Sequence, residues 1–368
     1  MSAYPAAKAA ALRIHPHFAR LFAADPSSGE APDVEAMQAM MDAAFWASLR
    51  REEGFIPRIS LAFARPEQVS GAMMFEQRLP LDAPTLTRVS PAVERPGIHL
   101  GVCREGGRLS VWGATRHLPH FHFVLEVAAA GLLVIKHSSG DDSAKFVNVA
   151  VLEGDQIKIV DQRAAALPDC PNLLMSLIGM SQDGAASVWI RLAVSMRAHG
   201  HGGSLLIVPA GSRTWQESIL QPITYSVAPP FSELAELRQV DASERAGGPW
   251  ESALRRAVDG IAGLTAVDGA TIVTATYDLL AFGAKIVRRP GAGQVDRLMV
   301  TEPIEGVPAA MMEAAHLGGT RHLSAAQFAH DQRDSIALVA SQDGRFTIFG
   351  WSPCEETVHA HRIETLLL

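Results

Sequence analysis

Met37, Met40, Met41, Ala44, Phe45 and Leu49 recur at the three-and-four spacing of one helical face. Asp33 stands just before them, a side chain suited to accept from the first free N–H groups of a helix. Together they predict a helix from Val34 to Arg51 with its methionines in the core. Another helix is expected over residues 1–24, and residues 25–29, Asp-Pro-Ser-Ser-Gly, read as a loop. Ile56 to Phe63 alternates as a strand and is stopped by Pro66. From Ile98 the period shortens to two. Ile98–Cys103 and Leu109–Trp112 flank Glu105-Gly106-Gly107 as a hairpin, Leu132–His137 and Val147–Leu152 follow, and Glu153-Gly154-Asp155 turns the chain into Gln156–Val160. Leu173–Met180, Val188–Met196 and Ser204–Pro209 continue the apolar segments of this strand-rich stretch.

Pro229-Pro230 and the run Ala242–Pro249 have linker chemistry, which places a domain boundary near residue 245. Beyond it, Pro249 opens a helix from Trp250 to Leu264, and a strand starts at Asp268-Gly269-Ala270. A turn at 275–278 leads to a strand from Leu279 to Val287, then to a Gly-, Pro- and Arg-rich loop over Arg288–Arg297. Val307–His316 and Ser324–Gln332 read as helices, and Ile336–Ala340 and Arg345–Trp351 as strands about the turn Ser341-Gln342-Asp343-Gly344. Helices and strands interleave, so residues 246–368 are expected to form a mixed α/β domain, preceded by an α+β region over residues 1–245.

Bulk properties narrow the function classes. A net charge of −7 and the lack of any Lys/Arg block argue against a nucleic-acid binder. Cys103, Cys170 and Cys354 lie far apart without a CxxC, which fits a reducing cytoplasm. No apolar run is long enough to span a bilayer, and the N-terminus lacks the apolar core of a signal peptide, so a soluble, cytoplasmic protein is expected.

The candidate chemistry gathers at Leu317-Gly318-Gly319-Thr320-Arg321-His322-Leu323-Ser324. The glycines let backbone approach a ligand closely, and Thr320, Arg321 and His322 fall where a helix opens. Free N–H groups and the positive dipole end favour an anion there, and Arg adds a planar fork of donors suited to phosphate. The same residues also suit a solvated helix–turn–helix corner. Fifty positions upstream stands Asp268-Gly269-Ala270.

With Asp268-Gly269-Ala270 opening a strand, Phe282-Gly283 on the next strand and Gly319-Thr320-Arg321-His322 opening a helix, residues 250–355 resemble the diadenylate cyclase family. That family joins two ATP molecules into cyclic di-AMP with release of two pyrophosphates. The resemblance implies that Asp268 holds a divalent ion, Mg2+ or Mn2+, and that Asp343 is a second ligand. It implies that Gly269, Ala270 and Gly283 line the nucleotide, and that Gly319, Thr320, Arg321, His322 and Ser324 surround the phosphates. It further implies a homodimer or higher oligomer with facing active sites, because one site cannot close the ring. Residues 1–245 then stand where the family carries a sensor, whose ligand the sequence does not name. One departure is Leu323, where the family has a second Arg. Loss of one charge-assisted phosphate contact costs roughly 1.5–3 kcal/mol, on the order of ten- to a hundred-fold in rate. The departure also leaves room for a nucleotide-binding regulator without activity.

Other constellations compete less well. His117, His120 and His122, with His137, suggest a metal pair on a strand, but no Cys or carboxylate is spaced to complete it. His199-Gly200-His201-Gly202-Gly203 suits either a ligand-contacting loop or a glycine-rich turn. Gly113-Ala114-Thr115-Arg116-His117 echoes the corner at Gly318, and Ser181-Gln182-Asp183-Gly184 echoes the turn at Ser341; a second, decayed copy of the fold and coincidence both fit.

Overall fold

The structure, a computed structural model, describes residues 3–24, 31–95, 97–138, 146–161, 188–241, 245 and 248–368. The chain divides into two compact units, Met1–Val160 (with Leu368) and Asp161–Leu367. Each is a mixed α/β body built on one large sheet. The boundary therefore falls at Val160/Asp161, not near residue 245. Pro229-Pro230, expected as linker, lies in an edge strand, where a missing N–H deprives no neighbour of a hydrogen bond.

In the first unit, α1 (Pro5–Ala24) and α2 (Val34–Ser48) precede β1 (Ser60–Phe63), β2 (Met73–Pro80), α3 (Ala83–Val93), β3 (His99–Glu105) and β4 (Arg108–Thr115). Then come β5 (Phe123–Ala129), β6 (Leu132–Ser138), β7 (Phe146–Glu153) and β8 (Gln156–Ile159). Asp33 caps α2 as expected, its carboxylate accepting from the N–H of Ala36 at 2.7 Å. Met37, Met40 and Met41 are fully buried, in one cluster with Ile14 and Phe18 of α1 and Leu61, Leu100 and Leu125 of the sheet. The strand order is β2-β4-β3-β1-β5-β6-β7-β8, with β1 and β3 parallel. Gly113–Thr115 end a strand here, so the echo of the Gly318 corner does not extend to conformation. The segment Leu173–Met180 and the turn at Ser181 lie outside the described residues.

The second unit opens its described part with α4 (Val188–Ala198), a stretch expected as a strand-rich apolar segment. Its buried positions, Val188, Trp189, Leu192, Ala193 and Met196, fall at helical spacing. There follow β9 (Gly203–Val208), β10 (Tyr225–Phe231), α5 (Glu233–Gln239), α6 (Gly248–Leu264), β11 (Ala270–Thr274) and β12 (Leu279–Ala284). After them come β13 (Arg297–Thr301), β14 (Ala310–Glu313), α7 (Thr320–Asp331), β15 (Ile336–Ala340), β16 (Phe346–Ser352) and β17 (Thr357–Arg362). Val307–His316, expected as a helix, instead holds β14 and a short 3-10 turn over Ala314–His316: the helix formers Ala310, Met311 and Met312 yield to pairing with β13, Val300 opposite Ala310.

The second sheet runs β10-β12-β11-β9-β15-β16-β17-β13-β14. Both of its faces are covered. α4 and α6 pack with Leu205, Ile207, Val273 and Leu338 on one side. On the other, Ala325, Ala326, Phe328 and Ala329 of α7 pack with Leu206, Ile272, Ala337 and Val339. Central strands buried on both faces read as continuous apolar runs, which is why β9, β11 and β15 were legible.

The two sheets share a plan. Seven consecutive positions, β2-β4-β3-β1-β5-β6-β7 and β10-β12-β11-β9-β15-β16-β17, agree in order. They agree in sense too: the one parallel pair, β1 with β3, corresponds to β9 with β11. The remaining pairs are antiparallel in both.

Candidate functional site

Strand pairing collects several chain segments at one end of the second sheet. Ala270 at the start of β11 pairs with Ser204 near the start of β9 and with Ala284 at the end of β12. Ala340 at the end of β15 pairs with Gly203 and with Phe346 at the start of β16. α6 delivers the chain to this end through a short connection, Thr265–Gly269. Thr265 is buried, donates to the carbonyl of Ala262 at 2.6 Å and lies 3.2 Å from His199 Nε2. Asp268 follows it as an exposed residue at the rim.

Gly269 and Gly283 make the close approach that holds the rim together. Gly269 has φ +121°, and a Cβ there would lie 2.4 Å from the carbonyl carbon of Gly283. Gly283 has φ +63°, and a Cβ would meet the Tyr225 ring at 2.8 Å. At Gly269 no side chain fits without moving backbone, and at Gly283 one would displace the Tyr225 ring. Tyr225 in turn stacks on Phe282, centroids 4.8 Å apart and planes 2° from parallel, leaving a half-exposed aromatic face beside the glycines.

The N-terminus of α7 reaches the same end. Gly319 occupies the capping position and no side chain caps the helix, so first-turn N–H groups remain open to a ligand. Arg321 lies against the start of β9: a Cβ on Gly202 would sit 3.0 Å from Arg321 Nη1 and 3.2 Å from the Ala340 carbonyl oxygen. Arg321 also acts electrostatically on Asp268. The strongest influence on Asp268 is Lys285, whose ammonium donates to Oδ2 at 2.6 Å and holds the carboxyl below its usual range. Asp268, Gly269, Ala270, Gly283 and Arg321 are therefore one neighbourhood, with Thr320 exposed at the helix start and Ser324 half-exposed one turn on.

Two residues sit differently from what the resemblance implies. His322 is 6 % exposed, packed beneath Gly318 and edge-on to Phe349, and burial lowers its pKa. It supports the corner from inside. Asp343 is committed to its own turn: it accepts from the Ser341 hydroxyl and from the N–H of Arg345 at 3.4 Å, and pairs with Arg345 Nε at 3.4 Å. Among the described residues, no group of three or more His, Cys, Asp or Glu is placed to hold a metal ion. That covers the histidines of the first unit, where His122 is buried with Nδ1 3.1 Å from the His120 carbonyl oxygen. A hard divalent ion with one protein carboxylate and substrate phosphates still suits the exposed oxygens of Asp268.

Lys285, Tyr225 and Gly202 escaped the sequence reading. Lys285 had a signal, a lone cation in the apolar run Leu279–Val287. Gly202 stood inside a noted glycine-rich segment but needed β9 to place it. Tyr225 lay in a stretch dominated by prolines.

The comparisons bear on the first unit. The family described as "Probable sensor domain DACNV" matches residues 27–116, from just before α2 to the end of β4. This is the N-terminal sensor part found in diadenylate cyclases. No curated protein matches the chain. Among the described residues, no helix is long and apolar enough to cross a membrane.

Proposed function

We propose that the chain is a sensor-regulated diadenylate cyclase, joining two ATP molecules into cyclic di-AMP. The observation that carries this reading is that Asp268 and Arg321, 53 positions apart in sequence, come to the same end of the second sheet, with an uncapped helix N-terminus and two close-packed glycines. The sensor match over residues 27–116 supports it independently.

In this reading Thr320, Arg321 and the first N–H groups of α7 hold the triphosphate, while Gly269 and Gly283 let the nucleoside lie against backbone. Asp268 would hold Mg2+ or Mn2+, which neutralises charge on the phosphates. Two protomers present their nucleotides face to face. The 3′-oxygen of each forms a bond to the α-phosphorus of the other, the bond to pyrophosphate breaks, and the hydroxyl proton leaves to water. Two such steps close the ring. The residues contribute alignment and charge stabilisation rather than a covalent intermediate.

A second reading is a nucleotide-binding regulator with little or no turnover. Leu323 favours it: it stands 38 % exposed on the first turns of α7 and offers no charge to a phosphate. Incubation of the pure protein with ATP and Mg2+ or Mn2+, followed by mass spectrometry for cyclic di-AMP, separates the two. Product establishes the cyclase. Measurable ATP binding without product under either metal establishes the regulator.

A further inference from the structure

We propose that Lys285 is a phosphate-contacting cation of this site, taking the place of the Arg absent at 323, and that it rests on Asp268 while the site is empty. The inference depends on the reading that a triphosphate occupies this rim.

Lys285 follows the last residue of β12, and the pairing of Ala284 with Ala270 sets it directly beside the Asp268-Gly269 corner. Its Nζ contacts Asp268 twice, at 2.6 Å to Oδ2 and 3.2 Å to the carbonyl oxygen. The two side chains are 48 % and 90 % exposed. A pair this open to water is weak and exchangeable, so it does little for the fold. Its position is more informative than its strength. Asp268 is paired with a cation from β12 and feels, more weakly, a second from α7, Arg321, which lies against Gly202 at the same end of the sheet. Among the described residues Arg321 makes no ion pair, so Asp268 has two cations in its neighbourhood on a chain of net charge −7.

A divalent ion on Asp268 would repel the ammonium and leave its donors free. The four-carbon stem lets Nζ swing from the rim towards a polyphosphate bound at α7. Arg321 and Lys285 would then both face it, restoring the charge that Leu323 lacks. Lysine suits the task because it acts as a compact point charge and needs no fixed fork geometry.

The test uses the full chain and its Lys285→Met, Lys285→Arg and Lys285→Met/Leu323→Arg variants, with ATP affinity, read with the non-cyclisable α,β-methylene analogue, measured by calorimetry in saturating Mn2+, and Mn2+ binding titrated separately. Lys285→Met should raise the Kd for ATP about tenfold, and Lys285→Arg should keep it near wild type. Mn2+ should bind Lys285→Met more tightly, because the carboxylate has lost its competitor. Leu323→Arg should recover most of the lost ATP affinity. If the wild type binds ATP and Lys285→Met binds it equally well, the role of Lys285 is wrong while the nucleotide site stands. If the wild type binds no ATP, both readings fall together. Failure of Leu323→Arg to recover affinity would overturn the substitution of one charge for the other.

Discussion

The two sheets follow one strand plan through seven positions, yet the residues proposed to hold phosphate lie in the second unit, and the difference lies in what interrupts the plan. Between β4 and β5 the first unit spends residues 116–122. Between β12 and β15 the second spends residues 285–335, which hold Lys285, the β13–β14 hairpin and α7 with Arg321. The starts of the paired parallel strands differ as well. In the second unit Asp268 stands exposed just before β11. In the first, β3 begins at His99, 4 % exposed, with Nδ1 2.7 Å from the Ser60 hydroxyl at the start of β1. A shared scaffold thus carries an exposed charge in one unit and a buried neutral base in the other, and scaffold alone says little about chemistry.

The largest expected effect tests whether the second site acts alone. Asp268→Asn should lower cyclic di-AMP formation by about a hundred-fold or more, with a melting midpoint near wild type because the side chain is exposed. Activity retained at wild-type level would mean that the ion is held elsewhere.

Next come two glycines, one per unit. A Cβ on Gly101 would sit 2.0 Å from Trp112 Cε2 and Cζ2, and one on Gly269 would lie 2.4 Å from Gly283 backbone. Each Ala substitution should destabilise its own unit by about 1–3 kcal/mol, visible as faster hydrogen exchange there. Gly101→Ala should leave ATP affinity intact, whereas Gly269→Ala should remove it. Equal loss of ATP binding in both would show that the contrast between the units is not local.

Acid offers a milder test. Burial lowers the His99 pKa from its ordinary 6.5 to about 4. Unfolded chain therefore takes up a proton near pH 6.5 that the folded unit refuses. Stability is complete above that pH and falls as pH drops towards about 4, at up to roughly 1.4 kcal/mol per pH unit. His99→Gln should flatten this decline in the first unit and leave the second unit's acid profile unchanged, as followed by hydrogen exchange between pH 7 and 4.5. The smallest effect is expected from Asp33→Ala, which removes the α2 cap and should cost about 1 kcal/mol without touching nucleotide binding.

Legibility followed burial and local chemistry. β9, β11 and β15 announced themselves because both faces are buried, and α2 because its cap and its methionine stripe agree. α4 was misjudged although Val188, Trp189, Leu192, Ala193 and Met196 keep helical spacing; neighbouring strands coloured the reading. β10 was hidden by Pro229-Pro230, since an edge strand accepts what a central one forbids. β14 was hidden by helix-forming Ala and Met, whose propensity lost to cross-strand pairing. At the site, Asp268, Gly269 and Arg321 are readable as motif residues and Asp343 as part of a turn, while the burial of His322 is not readable.

The sequence by itself determined the residue types that chemistry requires: a carboxylate after a helix, glycines where backbone must approach backbone, and a guanidinium at a helix start. These follow from local rules that act over a few positions. Only the tertiary structure decided that the unit boundary lies at residue 160, that β9 sets Gly202 against Arg321, and that Lys285 pairs with Asp268. Those facts depend on strand order and register, and pairing between segments far apart in the chain leaves no mark in the residues that either segment carries.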